Sequence, residues 1–232
     1  MDMTAILNQR LLPLARKRPG ELFVHEIYRS IQGESTYAGL PCVFVRLAVC
    51  DSRCVWCDTP HAFTTGESRS LDRIIEDVLV HSCPLVEITG GEPLLQSEVF
   101  SLMTALCEAG RKVLLETSGA HPIDQVDRRV HIVMDLKCPG SGETERNRWE
   151  NLEVLKPTDE IKFVIGCAED FTWAIQRIAD YRLDQRFGLL FSPVFDAVQP
   201  RDLADWLLAS GIHARMQLQL HKFIWDPKAR GV

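Results

Sequence analysis

Short β-branched apolar runs alternate with segments of helical period along most of this chain, and no other feature restricts its fold so tightly. Residues 42–49 (CVFVRLAV) are typical of a strand buried on both faces of a parallel sheet. Ser70 is placed to cap a helix in which Leu71, Ile74, Ile75, Val78 and Leu79 recur at helical spacing, and residues 85–89 then read as the next strand. Further strands are expected at 113–117, 130–135, 161–165, 187–191 and 215–220, with a short one at 22–27 before the first core strand. Helices are expected at 94–109, stopped by Gly110, and around 145–155, 171–181 and 202–208. The pattern predicts an α/β fold of six or seven parallel strands, either an open sheet or a partial (β/α) barrel.

At 232 residues the chain has the size of one α/β domain, which buries roughly three quarters of its unfolded surface. Hydrophobic residues at 46% and charged residues at 25% exclude a disordered or fibrous chain. The net charge of -6 argues against nucleic acid as a partner, because such binders usually show a basic surplus. A small-molecule substrate is expected instead. No apolar run approaches the ~20 residues of a membrane helix. Residues 1–20, interrupted by Asn8, Gln9 and Arg10, read as an N-terminal extension carrying a surface helix, ahead of a single domain at 21–232. Eight cysteines are too sparse for a disulfide framework, so reduced thiols and a cytoplasmic location are expected. Cys42, Cys83, Cys107 and Cys167 read as small buried hydrophobes.

In parallel sheets ligands bind at the carboxyl ends of the strands, and the chemically suggestive segments do follow strands. Residues 50–61 (CDSRCVWCDTPH) follow the first core strand, 90–93 (GGEP) the second, 118–122 (SGAHP) the third and 137–143 (KCPGSGE) the fourth. Cys50, Cys54 and Cys57 form C-x3-C-x2-C, which lets three thiolates converge on one small object. A [4Fe-4S] cluster held by three cysteines leaves one iron free to chelate the amino and carboxylate groups of S-adenosylmethionine, the arrangement that yields a 5′-deoxyadenosyl radical. The alternative is a structural zinc site with His61 or Cys138 as fourth ligand, in a binding module without catalysis. Gly90-Gly91-Glu92-Pro93 favours the cluster, since paired glycines let backbone approach a ligand closely, although the same segment also suits a strand end followed by a helical turn.

The cysteine triple with Trp56 before its last cysteine, followed by GGEP, resembles the radical S-adenosylmethionine superfamily. Within it, Ser30 to Glu34 (SIQGE), Gly39 to Pro41, Phe44 to Arg46 and Trp56 to Thr59 resemble the 7-carboxy-7-deazaguanine synthase family. The likeness continues through Thr89 to Pro93, Glu116 to Gly119, Asp135 to Glu143 and Gln219 to Pro227. It implies a partial barrel of radical S-adenosylmethionine type that converts 6-carboxy-5,6,7,8-tetrahydropterin to 7-carboxy-7-deazaguanine with loss of ammonia, toward queuosine-type tRNA modification. It also implies a cluster on Cys50, Cys54 and Cys57, and S-adenosylmethionine held by Trp56, Cys57, Asp58, Gly91, Ser118, Asp135, Leu136 and Lys137. The pterin would meet Ile31, Gln32, Gly33, Glu34, Arg46 and Thr89, with Mg2+ on Thr59, a reducing partner such as flavodoxin or ferredoxin, and a homodimer. On residue chemistry, Arg46 offers a planar fork to a carboxylate and Glu34 accepts from N–H groups. Without the resemblance, Thr59 is a turn residue, Lys137 faces solvent, and Arg46 needs an acidic partner inside so apolar a strand.

The chain departs from the family pattern in its details. Val49, Asp51 and Ser52 stand where the family usually has Gly, Asn and Leu, and Ser35 replaces the common glycine after Gln-Gly-Glu. Asp135-Leu136-Lys137 replaces a frequent Ser-Pro-Lys. Lys228 to Val232 continue beyond Pro227, near which some members end with their terminal carboxylate in the site. A glycyl-radical activase, also built on CxxxCxxC, is the rival within enzymes, but it gives no reason for Gln32, Glu34 and Arg46 together.

Overall fold

A computed structural model describes residues 3–232; residues 1 and 2 of the N-terminal extension lie outside it. In chain order the elements are α1 (Met3–Leu11), β1 (Glu21–Ile31), β2 (Pro41–Leu47), β3 (Glu67–Ser70), α2 (Leu71–Leu79), β4 (Leu85–Gly90), α3 (Glu98–Glu108) and β5 (Lys112–Thr117). They continue with β6 (His131–Asp135), β7 (Glu160–Ile165), α4 (Ala168–Tyr181), β8 (Gly188–Pro193), α5 (Pro200–Ser210), β9 (Arg215–Met216) and α6 (His221–Ile224). One unclosed sheet has the order β3-β1-β2-β4-β5-β6-β7-β8-β9. From β2 to β9 every neighbouring pair is parallel, giving the expected partial barrel of six full strands and a two-residue seventh.

Alternation along each strand divides the sheet into two faces. Val43, Val45 and Leu47 of β2, with Val86 and Ile88 of β4, share the main apolar core with Ile74 and Val78 of α2 and Leu102, Met103 and Leu106 of α3. Ala174 and Ile178 of α4 and Leu203 and Leu207 of α5 extend that core beneath the later strands. The intervening residues Phe44, Arg46, Glu87, Thr89, Glu116, Asp135 and Lys162 line a cavity on the opposite face. The apolar run of the sequence therefore sets the core, and the charged residues interrupting it set the site.

Some expectations are corrected. The strand at 22–27 is longer and runs antiparallel to β2, and it also pairs with β3, a polar four-residue strand that no apolar run announces. Val24 pairs with Leu47 and Glu26 with Arg46, so His25 is an inserted bulge residue. The helix expected at 94–109 begins only at Glu98, after a short 3-10 turn over Pro93–Leu95. Its first turn is lost because the Gln96 side chain bonds the Phe23 and Ala48 backbones instead of leaving that segment free to coil. The helix expected at 145–155 is two 3-10 turns, Thr144–Arg146 and Trp149–Glu153. Here Asn147 bonds both backbone groups of Lys137, and Asn151 bonds the carbonyls of Gly119 and His121, so the segment ties down neighbouring loops. The strand expected at 215–220 stops at Met216, after which the chain turns into the cavity wall. Among the described residues no helix is long and apolar enough to cross a membrane.

Candidate active site

The cysteine loop leaves β2 at its carboxyl end and is fixed from several sides. Arg53 donates to the carbonyls of Cys50 and Ser52, both at 2.6 Å, and its guanidinium lies 4.1 Å from the Phe63 ring centre. The Arg53 backbone N–H donates to Glu143, while the Asp51 carboxylate accepts from Arg146 and pairs with His121 at 3.0 Å. Trp56 is clamped between two later loops: a Cβ on Gly140 or Gly166 would meet its ring at 3.1 or 2.7 Å. Both glycine N–H groups donate to the fully buried Asp170 carboxylate, which holds those loops at the distance the indole needs.

Gly90 and Gly91 both line the cavity and also approach backbone closely. A Cβ on either would strike the carbonyls of Leu47 and Val49, so the glycines let this turn pack against the backbone that carries the cysteines. Gly91 N–H donates to Leu47 and Glu92 N–H to Val49, while the buried Glu92 carboxylate collects Leu94 N–H, the Thr117 hydroxyl, and the backbone N–H and hydroxyl of Ser118. The second and third loops are thereby locked to the first.

Cys50, Cys54 and Cys57 all line the cavity, which encloses about 260 Å³. Burial pushes the Cys50 thiol up to about 12, with the Glu92 carboxylate adding to it, and burial also raises Cys54 and Cys57. Thiols in such a place need a positive partner to ionise. Their sulfurs do not all come within 4.8 Å of one another. A zinc ion with Zn–S bonds of ~2.3 Å would draw its sulfur ligands to roughly 3.8 Å apart. Cys138, one candidate for a fourth zinc ligand, is buried and does not line the cavity. The trio thus surrounds space suited to an object larger than one ion.

Opposite the cysteines the wall is a linked set of charges. Arg46 Nε donates to Glu26 at 2.8 Å and its Nη2 to the Tyr28 hydroxyl at 2.9 Å, so the arginine does have the acidic partner its strand demands. The buried Lys162 ammonium bonds Glu34 at 2.8 Å and also Glu116, whose carboxylate accepts the Thr89 hydroxyl at 3.3 Å. Burial alone would raise Glu116 and lower Lys162, but their mutual attraction outweighs it: Glu116 is held below the usual carboxylate range and Lys162 well above the usual lysine range. Glu87 lies in the same wall without a cation of its own. Burial, then the Glu116 and Glu34 carboxylates, drive it well above the usual carboxylate range. Gln32 donates to Glu87 and accepts the Glu34 N–H at 2.8 Å, so both ends of its amide are engaged.

Of the residues named from sequence, Ile31, Gln32, Gly33, Glu34, Arg46, Trp56, Asp58, Thr59, Thr89, Gly91, Ser118, Asp135 and Lys137 join the three cysteines around this cavity. Leu136 does not: its side chain is fully buried in the main core. Lys137 is not solvent-facing but pairs with Asp135 at 2.6 Å. Asp135 Oδ1 is buried and without a protein partner, an acceptor left for a ligand.

A family signature described as the Radical SAM superfamily matches residues 45–136. A protein of Chlorobaculum tepidum named 7-carboxy-7-deazaguanine synthase is 48% identical over 214 residues, covering 91% of this chain and 97% of its own. This chain belongs to the 7-carboxy-7-deazaguanine synthase family. A relative of the same name from Koribacter versatilis is 46% identical over 224 residues, 90% of this chain and 99% of its own. The crystal structure of QueE from Escherichia coli shares the fold at a TM-score of 0.71 and 22% identity, over 89% of this chain and 97% of that one. The chain is accordingly a radical S-adenosylmethionine enzyme of lyase type, a family that implies a [4Fe-4S] cluster and S-adenosylmethionine. Three thiols opening on one cavity and the Asp135 oxygen without a partner among the described residues fit those groups.

Family membership also explains two departures in physical terms. Val49 and Ser35, which stand where the synthase family usually has glycine, sit at φ 77° and 63°, in the left-handed region. The backbone turn is kept while the residue that adopts it without strain is not. Val49 instead joins Phe23 and Ala48 in a small apolar cluster covered by Leu11 and Leu14 of the N-terminal extension and by Leu95. Arg10 of the extension donates to the Asp51 carbonyl at 2.5 Å. Sequence reasoning did not single out Glu26, Tyr28, Glu87, Lys162, Gln219, His221 or Lys222, all of which line the cavity. For Glu87, Glu116 and Lys162 a signal was present, since each is a charged residue inside an otherwise apolar strand.

Proposed function

We propose that this enzyme converts 6-carboxy-5,6,7,8-tetrahydropterin to 7-carboxy-7-deazaguanine with loss of ammonia, the product being the one that the name of its relatives gives for them. The observation that carries the reading is a single cavity lined at one end by Cys50, Cys54 and Cys57 and at the other by Glu34, Arg46 and Thr89. When bound, the cluster and S-adenosylmethionine supply a reductive cleavage that yields a hydrogen-abstracting radical. The three cysteines would hold the cluster. Trp56, Cys57, Asp58, Gly91, Ser118, Asp135 and Lys137 would bound the S-adenosylmethionine, with Leu136 contributing backbone alone.

Arg46 keeps Nη1 free of protein partners among the described residues while Glu26 and Tyr28 fix its other nitrogens, so its fork is pre-oriented for the pterin carboxylate. Glu34 would accept from the pterin N–H edge, and Lys162, Gln219 and the Gln32 amide hold it in place. Gln32 thereby acts as a support, with Ile31 and Gly33 offering backbone on either side. Glu87, buried and accepting from the Gln32 amide, completes the wall beside it. The Thr59 hydroxyl, bonded to Asp58 at 2.9 Å, provides the oxygen donors a hard ion such as Mg2+ takes together with waters and substrate oxygens. Burial raises Asp58, but the Lys222 ammonium and the Thr59 hydroxyl outweigh it and keep that carboxylate ionised.

The reading includes residues 21–232 as one radical S-adenosylmethionine domain, a homodimer, a cytoplasmic setting, and a flavodoxin or ferredoxin as electron donor. The test is binding to the reconstituted, S-adenosylmethionine-loaded enzyme: 6-carboxytetrahydropterin is expected to bind at least tenfold more tightly than tetrahydropterin lacking the carboxylate. Equal affinity would remove Arg46 from its role.

A further inference from the structure

Among the described residues, one cluster has the composition of a metal site, and it shares Glu26 with the Arg46 pair. The imidazoles of His25 and His61 and the carboxylate of Glu26 each offer a ligand atom, and these atoms lie within 4.8 Å of one another. Adjacent strand residues normally point to opposite faces. The bulge at His25, between the Val24–Leu47 and Glu26–Arg46 pairs, breaks that alternation and lets His25 and Glu26 reach the same place. His61 arrives from the 3-10 turn Pro60–Phe63 that follows the cysteine loop, and its ring centre is 5.0 Å from that of His25.

The surroundings are those of a supported ligand set. His25 Nδ1 bonds the Thr65 carbonyl at 2.8 Å, which fixes the proton there and leaves Nε2 with a free lone pair. The Thr65 hydroxyl donates to the His61 carbonyl at 2.5 Å, so a single residue steadies both histidines. Glu26 Oε1 accepts from Arg46 Nε at 2.8 Å, as ligating carboxylates commonly do from a neighbour. Glu26 and His61 both line the active-site cavity. An ion here would keep open coordination positions toward whatever occupies that cavity.

We propose that His25, Glu26 and His61 bind a divalent transition-metal ion of the Zn2+, Co2+ or Fe2+ class on the cavity wall beside Arg46. Two imidazoles with one carboxylate select borderline metals over Mg2+, which prefers an all-oxygen shell. The site is therefore distinct from an Mg2+ on Thr59, and it stands whether or not the pterin reaction does.

The test uses holoenzyme with its cluster in place, so that the three cysteines are occupied, titrated anaerobically with Co2+ in excess Mg2+. One equivalent should bind with weak d–d absorption and no thiolate charge-transfer band. His25→Ala and His61→Ala should each weaken Co2+ binding more than about tenfold, the lower end of what loss of even an outer-shell partner costs a metal site. Retention of the cluster absorbance in both variants verifies that they fold. Binding that Mg2+ displaces, binding that shows thiolate charge transfer, or affinity unchanged in both variants would overturn the proposal.

Discussion

Val49 offers a sharp test of the backbone conformation that carries the cysteine loop. It is fully buried at φ 77°, one residue before Cys50. Replacing it with alanine keeps a Cβ in the left-handed region and removes the buried isopropyl methyls, at about 0.8 kcal/mol for each buried carbon. A loss of roughly 1.5–2 kcal/mol is expected. Glycine loses slightly more packing, and its freedom in the unfolded chain costs a further ~0.5–1 kcal/mol. It also escapes the left-handed penalty of roughly 1–2 kcal/mol that any L side chain bears. With the lost Cβ counted at the same ~0.8 kcal/mol, those terms leave Val49→Gly and Val49→Ala equal to within about 1 kcal/mol, whereas at an ordinary buried position glycine would be the less stable by roughly 1.3–1.8 kcal/mol. Urea unfolding of the reduced apo-protein, comparing midpoints at constant m-value, measures the difference directly. A Val49→Gly protein less stable than Val49→Ala by the full ~1.3–1.8 kcal/mol would refute a left-handed turn at this position.

Other substitutions separate the members of the charged wall. Arg46→Lys should leave iron content unchanged and weaken carboxypterin binding at least tenfold, about 1.4 kcal/mol, because one ammonium cannot serve Glu26, Tyr28 and a carboxylate together; equilibrium binding reads it. Glu87→Gln should cost less than Glu116→Gln, because burial and the neighbouring carboxylates already disfavour a charge on Glu87, whereas Glu116→Gln should cost about 1–3 kcal/mol by leaving the buried Lys162 with Glu34 alone. Equal costs in urea titrations would show Glu87 to be ionised. For His121, burial would lower the pKa, but the hydrogen bond that its Nε2–H donates to Asp51 outweighs it and raises it. A raised folded-state pKa gives stability that is full below the unfolded value of ~6.5 and is lost as pH rises through the higher folded value. The urea midpoint should therefore fall from pH 6 toward pH 9, and His121→Gln should flatten that fall; an unchanged slope would remove the His121–Asp51 pair from the loop's support.

The sheet was legible because its strands are apolar runs and its ligand-bearing loops follow them, and neither fact depends on distant contacts. β3 was not legible, since Glu67–Ser70 is polar and becomes a strand only by lying against β1. The 3-10 segments around Asn147 and Asn151 were taken for a helix because their side-chain bonds to Gly119, His121 and Lys137 reach loops on other strands. The cysteines and GGEP are readable as motifs, but the packing of Gly90 and Gly91 against the Leu47 and Val49 backbone is not, because it joins the ends of two different strands. Arg46 announced its need of a partner, but Glu26 was hidden by the bulge that changes the register between β1 and β2. Nothing in the local sequence links Lys162 to Glu34 and Glu116, which come from three separate parts of the chain.

The central claim is that one cavity joins radical generation to a carboxylated pterin. Its most direct test is anaerobic turnover of the reconstituted enzyme with reductant, S-adenosylmethionine, Mg2+ and 6-carboxytetrahydropterin, followed by chromatography of the products. The account predicts 7-carboxy-7-deazaguanine and ammonia in equal amounts, both abolished when Cys50, Cys54 or Cys57 is replaced by alanine. Cleavage of S-adenosylmethionine to 5′-deoxyadenosine with the pterin recovered unchanged would contradict it.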